Sequence, residues 1–586
     1  MATKNEHYRA LVDMGRQVYL SSHCVFGFQA SFGIRVDFEH SNGIRFSISD
    51  LSPPSARIMP TIYQDRCGIS LYDAQYSTGE KASIPPEVIH EVLAALLRFK
   101  NTCVDFGVPD NQIRVIATEA TREAINTAKY RKAIRDRLGW EVEMLPKDEE
   151  GRVGAMGVAS SFSSFKGLVM DLGGGSTQLT WMKVGNGEVT TSPKGAVSLP
   201  YGAAAMTRLL AEAENEGEDG KDRLRKEMKT RFQQAYNDLE IPKELEKSAA
   251  AQGGFSLYLS GGGFRGWGYL LMSEHRVNPY PIPIINGFRV GRQEFENTVN
   301  IQSFASENDV FRVSDRRASQ VPAVAFLITV LTEALPPIKD VRFCQGGVRE
   351  GILYQSLSSS IRAAQPLSAA TTPYAPSSAQ GLTNLLQKVI LFFSYSTQPR
   401  VHGIEDRSFI EALTNLLYHH SSLPKESRAA AALRCTTTGT LAGIHGISHE
   451  DRALLCLVLC ERWGGQVSPT DSDFLRRMQL LIGDEQTWWT KYIGRAAALV
   501  GEVYPAGVVP ALPRMELGVG WKELVAGHGD VGIEVVVRVR ARDDMTADGV
   551  IGGSVKALEK VGKRKNWVGG NGGWGRKVVV VVRRDL

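Results

Sequence analysis

Val169-Met-Asp171-Leu-Gly173-Gly174-Gly175-Ser176-Thr177-Gln178 is an apolar run that meets an acidic residue, three glycines and two hydroxyls. The run predicts a strand and the glycines a tight turn. Glycine reaches positive φ and lets an anion approach backbone N–H groups. Ser176 and Thr177 add donors, and Asp171 at the strand end can hold a divalent cation directly or through water. Many plain hairpins share this pattern, so repetition decides. Leu11-Val-Asp13-Met-Gly15, Leu257-Tyr-Leu-Ser260-Gly261-Gly262-Gly263-Phe-Arg265 and Phe343-Cys-Gln-Gly346-Gly347-Val-Arg349-Glu350-Gly351 each carry a strand into glycines.

Outward from these turns, strand and helix signals alternate: Phe46-Ser-Ile-Ser is a predicted strand, Pro86 to Lys100 an amphipathic helix and Gln112 to Ala117 another strand. The expected layout is a lobe over 1–160, a second over 161–355 and a Ser/Ala/Pro-rich mobile connector over 356–380. A helical domain over 381–505 and a small α+β domain over 506–586 complete it, the latter with valine-rich strands at 531–539 and 578–582 and a helix near 555–561. The 586 residues exceed one domain of roughly 150, and 22% charged with 43% hydrophobic residues is ordinary globular usage. A net charge of +5 is too slight over this length for a nucleic-acid binder. The basic tail around Lys563-Arg-Lys565 reads as a solvated face. No stretch has the pattern of a signal peptide or a bilayer span, which predicts a soluble, unsecreted, cytoplasmic protein without membrane partners. Seven scattered cysteines without a C-x-x-C pair read as reduced thiols.

Several strand-to-glycine turns over two α/β lobes resemble the actin, sugar kinase and Hsp70 superfamily, which clamps phosphates in an interdomain cleft. Ala117-Thr-Glu-Ala-Thr-Arg122, Leu145-Pro-Lys-Asp-Glu149-Glu150-Gly-Arg152, the Asp171 to Thr177 turn and Gly347-Val-Arg349-Glu-Gly351 resemble the Ppx/GppA phosphatase family over about Tyr8 to Tyr354. Asn42-Gly-Ile-Arg45-Phe-Ser-Ile-Ser-Asp-Leu51 and Lys565-Asn-Trp-Val-Gly-Gly570 narrow the likeness to a fungal regulatory branch. The resemblance implies two actin-like, ribonuclease H-like lobes with a phosphate cleft, and an HD-like helical domain beyond them. By the same resemblance, Glu150 is the general base for a water attacking terminal phosphorus, and Asp171 is the ligand of Mg²⁺. Phosphate would be held by Asp13, Gly15, Ser41, Asn42, Arg45 and Arg122 on one side and by Gly173, Gly174, Gly175, Ser176 and Thr177 on the other. Gly261, Gly262, Gly263, Gly347 and Arg349 complete the cleft.

One departure stands out. The family's first loop keeps Asp and Ser a few residues apart, whereas here Arg16 to His40 separate Asp13-Met-Gly15 from Ser41-Asn42-Gly-Ile-Arg45. Excising 16–40 restores Asp-Met-Gly-Ser-Asn-Gly-Ile-Arg, which suggests a retained in-frame intron, a natural insertion being the alternative. Longer loops close at little extra entropy, but misplaced donors cost rate, so hydrolysis is expected to be impaired. The helical region has no His-Asp dipeptide, and His419-His420 and His445-Gly-Ile-Ser-His449 do not reproduce a metal set. Surface or capping histidines are expected. Two functions remain open. One is a regulator that senses polyphosphate, a ppGpp-like molecule or a nucleotide and signals mitochondrial state to nuclear transcription through partner proteins. The other is a Mg²⁺-dependent exopolyphosphatase or guanosine pentaphosphate phosphohydrolase. The resemblance also implies a homodimer.

Overall fold

The central strands of the first half are buried almost without interruption, as over Ala10 to Met14 and Gly167 to Met170, whereas the helices between them bury residues at a spacing of three to four. The structure, a computed structural model, describes residues 5–14, 43–69, 71–76, 81–122, 124–390, 406–523, 531–540 and 551–584. The expected insertion at 16–40, with Gly15, Ser41 and Asn42, lies outside the described residues. The chain divides into two compact units, one formed by residues up to 274 with 285–364, the other by 275–284 with 365–586.

The first unit holds two sheets. β1 (Tyr8–Met14), β2 (Ile44–Asp50), β3 (Thr61–Cys67), β4 (Ile113–Ala117) and β5 (Val142–Met144) lie in the order β3-β2-β1-β4-β5. β1 runs antiparallel to β2 and parallel to β4. The second sheet repeats this order. β6 (Phe165–Leu172) pairs antiparallel with β7 (Thr177–Gly185), which pairs with β8 (Glu188–Thr191) and β9 (Val197–Leu199). On its other side β6 runs parallel to β10 (Phe255–Ser260), followed by β12 (Ile338–Phe343) and the edge strand β11 (Arg289–Gly291). In each sheet the central strand carries an aspartate next to its last residue, Asp13 before Met14 and Asp171 before Leu172.

Helices cover the sheets. In α1 (Pro86–Asp105), Ile89, Val92, Leu96, Phe99 and Cys103 recur at helical spacing and are buried. Each such side chain contributes about 1.5–3 kcal/mol, and Pro86 sits in the first turn, where its missing N–H costs nothing. After α2 (Thr127–Leu138), α3 (Lys147–Ala159) passes from the first sheet to the second. It is followed by α4 (Ala203–Asn215), α5 (Glu218–Asp238), α6 (Gly262–Ser273), α7 (Val321–Ala334) and α8 (Val348–Ser356). A Cβ on Gly157 would lie 2.5 Å from Gly347 O, and one on Gly351 would lie 1.9 Å from Val153 O, so α3 and the start of α8 touch backbone to backbone. One apolar cluster belongs to the first sheet, and a second, including Leu11, Val153, Val169 and Tyr354, is shared by both sheets. Arg57, 1% exposed, locks the far ends of this crossing. Its guanidinium donates to Ser160 O at 3.0 Å, Phe162 O at 2.9 Å, and Arg362 O and Ala364 O at 3.1 Å.

From the end of the first unit onward, two expectations are corrected. Residues 356–380 are not a featureless connector: Ser359–Ala363, Pro366–Thr371 and the start of α9 (Ala379–Ile390) are helical, and Leu367, Ala369, Ala370 and Thr371 are buried. Small Ala and Ser side chains pack there without the apolar periodicity that marks longer helices. Nor do 381–505 and 506–586 separate. α10 (His449–Arg462) packs on α11 (Pro469–Val503), which breaks at Gly483. α12 (Gly552–Val561) packs on α11 in turn. Trp488 on α11 donates to Val561 O at 3.3 Å, and its ring centroid lies 5.8 Å from that of Trp574. The valine-rich strands form as read: β14 (Val531–Val539) lies between β13 (Met515–Glu523) and β15 (Val578–Arg583). Cys456 and Cys460 are buried on α10, and the described cysteines form no disulfide. No helix among the described residues is long and apolar enough to cross a membrane.

Candidate active site

The turn after β6 is held from behind by a helix. Gly173 N–H closes the hairpin on Ser176 O at 3.1 Å. The first N–H groups of α4 have no partner inside their own helix, and here Ala203 donates to Gly173 O at 2.9 Å, with Ala204 and Ala205 donating to Gly174 O at 3.0 and 3.1 Å. A trans peptide points its N–H opposite its C=O. With both carbonyls turned toward α4, the N–H groups of Gly174 and Gly175 are aimed the other way. Gly202 makes this contact possible, since a Cβ there would stand 2.2 Å from Gly174 C. Beside it Gly261 has φ +93° and lies against Leu172 O, a conformation that favours glycine.

These turns line a cavity of about 670 Å³ inside the first unit, within the usual range for a small-molecule site. Asp13, Arg45, Arg122, Glu150, Asp171, Gly173, Gly174, Gly261, Gly262, Gly263 and Gly347, all singled out from sequence, are on its wall. Asp13 and Arg45 are cross-strand neighbours on β1 and β2. Asp13 is 7% exposed and its Oδ1 has no hydrogen-bond partner. Burial pushes its carboxyl pKa up, while Arg45 and Arg349 pull it back. Asp171 Oδ1 accepts from Ser260 Oγ at 2.7 Å. Arg122, closing the short helix Glu119–Arg122, donates to Leu145 O and stands 3.6 Å from Glu150 Oε2. Glu150 lies in the first turn of α3, whereas Glu149 turns outward to Arg152 at 2.6 Å.

Gly175, Ser176 and Thr177 do not line the cavity. Thr177 is fully buried and donates to Tyr201 O at 2.7 Å, and Ser176 Oγ accepts from Gln178 at 2.7 Å, so both hydroxyls brace the hairpin from within. Arg349 is also off the wall, its guanidinium 3.8 Å from Glu350. Sequence reasoning missed Thr118, Ser260, Arg265 and Arg317, which do line it. Thr118 Oγ1 is buried without a partner. Thr118, Ser260 and Arg265 lie within the quoted motifs but were given no role there, and that position is the signal that could have found them; Arg317 lies in no such motif.

Two of the histidines expected at the surface or in caps, His420 and His449, are buried, whereas His419 and His445 are part-exposed. His449 is buried, its Nδ1 2.7 Å from Tyr280 Oη and its Nε2 2.8 Å from Ile284 O. Among the described residues no cluster of three His, Cys, Asp or Glu could hold a metal.

The model of the Ppx/GppA phosphatase family matches residues 48–360, over half of the chain. The chain belongs to the Ppx/GppA phosphatase family. Residues 365–585 match the RTG2 C-terminal domain, in keeping with the single second unit. Retrograde regulation protein 2 of Saccharomyces cerevisiae is 39% identical over 559 residues, covering 89% of this chain and 92% of that protein. A guanosine-5'-triphosphate,3'-diphosphate pyrophosphatase of Photobacterium profundum is 40% identical over 73 residues, 12% of this chain and 15% of that protein. Among solved structures, the Aquifex aeolicus Ppx/GppA family member has a TM-score of 0.43 at 20% identity, covering 59% of this chain and 96% of that one. An exopolyphosphatase of Cytophaga hutchinsonii has a TM-score of 0.40 at 16% identity, covering 60% and 99%.

Proposed function

We propose that this Ppx/GppA member is a regulator of the retrograde regulation protein 2 kind. A phosphate-bearing ligand, namely polyphosphate, a ppGpp-like molecule or a nucleotide, enters the cleft, and its occupancy is passed to partner proteins that connect mitochondrial state to nuclear transcription. The observation that carries this is the meeting of four guanidiniums, Arg45, Arg122, Arg265 and Arg317, with glycine turns in one cavity. Arginine forks and aimed backbone N–H groups recognise phosphate oxygens. The 39% identity over nearly the whole chain supports the regulatory half.

Magnesium fits the donors. Mg²⁺ takes oxygen ligands and is commonly held by one or two carboxylates plus substrate phosphates and water. Asp13, whose buried Oδ1 lacks a hydrogen bond, and Asp171 supply those carboxylates, which suits a site without a three-ligand protein cage. When bound, the ion would neutralise phosphate charge. Arg122 would then orient the terminal group, and Glu150 would accept a proton from any water beside it.

That last placement favours a second reading, hydrolysis of terminal phosphoanhydrides with Glu150 as base. Calorimetric binding and phosphate release should be measured together, with polyphosphate and ppGpp, on the full chain, on Glu150→Ala and on a chain lacking 16–40. Mg²⁺-dependent binding without release supports the regulator. Release abolished by Glu150→Ala supports the hydrolase. Absence of binding in all three refutes both.

A further inference from the structure

Residues 551–584 carry nine Lys and Arg but one acid, Glu559, a charge of 9 − 1 = +8 against +5 for the whole chain. The cations flank β15, whose five valines follow Arg576-Lys577 and precede Arg583-Arg584. β15 is an edge of its sheet, in the order β13-β14-β15. Lys577 O accepts from Ile533 N–H at 2.8 Å. In the alternation of a parallel ladder, residues 579, 581 and 583 then bond to β14, while Val580 and Val582 turn their backbone groups away from it. A strand edge of this kind is a template for another strand. At Val580 the N–H donates to Glu559 Oε1 at 3.4 Å, so the one carboxylate of the stretch sits on that edge. Exposed cations continue beside it. Lys556 and Lys560 lie one turn apart on α12, and a Cβ on Gly562 would stand 2.2 Å from Val578 N, so the Lys563 end of α12 abuts the start of β15.

We propose that the outer edge of β15 adds an extended segment of a partner protein, apolar in its middle and acidic at its ends, which takes the place of the Glu559 carboxylate at Val580. The site lies in the second unit and is independent of the cleft. Strand addition draws affinity from main-chain hydrogen bonds and specificity from the side chains alongside them. Here the valines match an apolar middle, and the Lys and Arg at both ends match acids. A second copy of this chain does not fit, because antiparallel pairing of two β15 strands sets the Arg583 end of each against the Lys577 end of the other, like charge on like charge. Single-stranded nucleic acid would want aromatic faces on which to stack bases, and the two nearby are engaged. Trp567 packs on Gly575, where a Cβ would lie 2.4 Å from its ring, and the Arg564 guanidinium stands 5.6 Å from the ring centroid. The Trp574 centroid lies 5.8 Å from that of Trp488 and 6.3 Å from that of Trp489.

The test uses the full chain and fluorescence anisotropy with two labelled peptides, Asp-Asp-Val-Thr-Val-Thr-Val-Glu-Glu and the same peptide with its central valine replaced by proline, beside a short labelled DNA duplex. The valine peptide should bind, and the proline peptide, which lacks one edge N–H, should bind roughly threefold to tenfold more weakly. Lys577→Glu combined with Arg583→Glu should weaken the valine peptide roughly tenfold or more at low salt, an effect that added salt screens. Val580→Pro removes an N–H that lies outside the ladder, so it should weaken the valine peptide roughly threefold to tenfold while its Tm stays near that of the wild type. Should that variant unfold, the proline peptide on the unaltered chain still decides. Glu559→Ala uncovers the edge and should tighten the valine peptide roughly threefold. Equal affinity for the two peptides overturns the inference, since charge alone would then hold them. Tighter binding of the duplex than of the valine peptide overturns it in favour of nucleic acid. Weaker binding by Glu559→Ala, or a wild type that does not bind the valine peptide, overturns it as well.

Discussion

Replacing Gly202 by alanine should abolish the phosphate binding proposed for the cleft while leaving the protein folded. The new Cβ would lie 2.2 Å from Gly174 C and 2.3 Å from Gly174 O and Gly175 N, against 3.4 Å where ordinary contact begins. The glycine turn must therefore retreat by 3.4 − 2.2 = 1.2 Å. Both sides of the clash are backbone, and they are already tied together by the bonds from Ala203, Ala204 and Ala205 to the turn. No side chain can swing away. Overpacking of this kind costs about 1–3 kcal/mol, and loss of one of these hydrogen bonds adds about 0.5–1.5 kcal/mol. A stability loss of about 2–4 kcal/mol is expected in denaturant unfolding. Affinity should suffer more, because a displacement of about 1 Å in a positioned site costs about a hundredfold. Calorimetric titration with tripolyphosphate measures that loss. Gly553→Ala on α12, where a Cβ meets nothing within 4 Å, is the control and should be neutral or stabilising by up to about 1 kcal/mol. A folded Gly202→Ala protein that binds as the wild type does would show that the turn after β6 is not the cradle.

Three further outcomes follow from the packing. His420 is 5% exposed, its Nδ1 has no hydrogen-bond partner, and burial with the nearby His419 pushes its pKa down to about 4 from an ordinary 6.5. The folded state thus binds fewer protons than the unfolded one. Stability present above pH 6.5 should fall by roughly 3 kcal/mol as pH drops toward 4, and pH-dependent unfolding of His420→Gln should be flatter; equal slopes contradict the assignment. Arg57→Met removes the donor shared by four carbonyls and should cost about 3–5 kcal/mol, read from the denaturant midpoint, with a loss under about 1 kcal/mol counting against its role as a lock. Trp488→Ala should cost about 3–5 kcal/mol and make residues 551–584 the first cleaved in limited proteolysis. An unchanged cleavage pattern would return those residues to a separate domain.

How much of the site was legible depended on whether the signal was local. Asp13, Asp171 and the glycine turns could be found because strand, acid and glycine follow one another within about ten residues, and that order alone places a group at the end of a central strand; Glu150 and Arg122, which stand on helices, came only with the family resemblance. Ser176 and Thr177 misled for the same reason: a hydroxyl in a glycine turn can face the ligand or brace the hairpin. Which one occurs was settled by Tyr201 and Gln178. The segment 356–380 misled because short helices rich in Ala and Ser hide their buried face from any periodicity.

From sequence alone came the alternation of strands and helices, the repeated glycine turns and the valine-rich strands at the end, since each is set by interactions within a few residues. Tertiary structure alone decided that α12 and Trp574 join the helical region through Trp488, and that His449 is buried against Tyr280. It also decided that Arg265 and Arg317 share a wall with Arg45. Those outcomes depend on contacts between residues tens to hundreds of positions apart, and burial of a charge or a ring is a property of the neighbours the fold brings, not of the residues that precede and follow it.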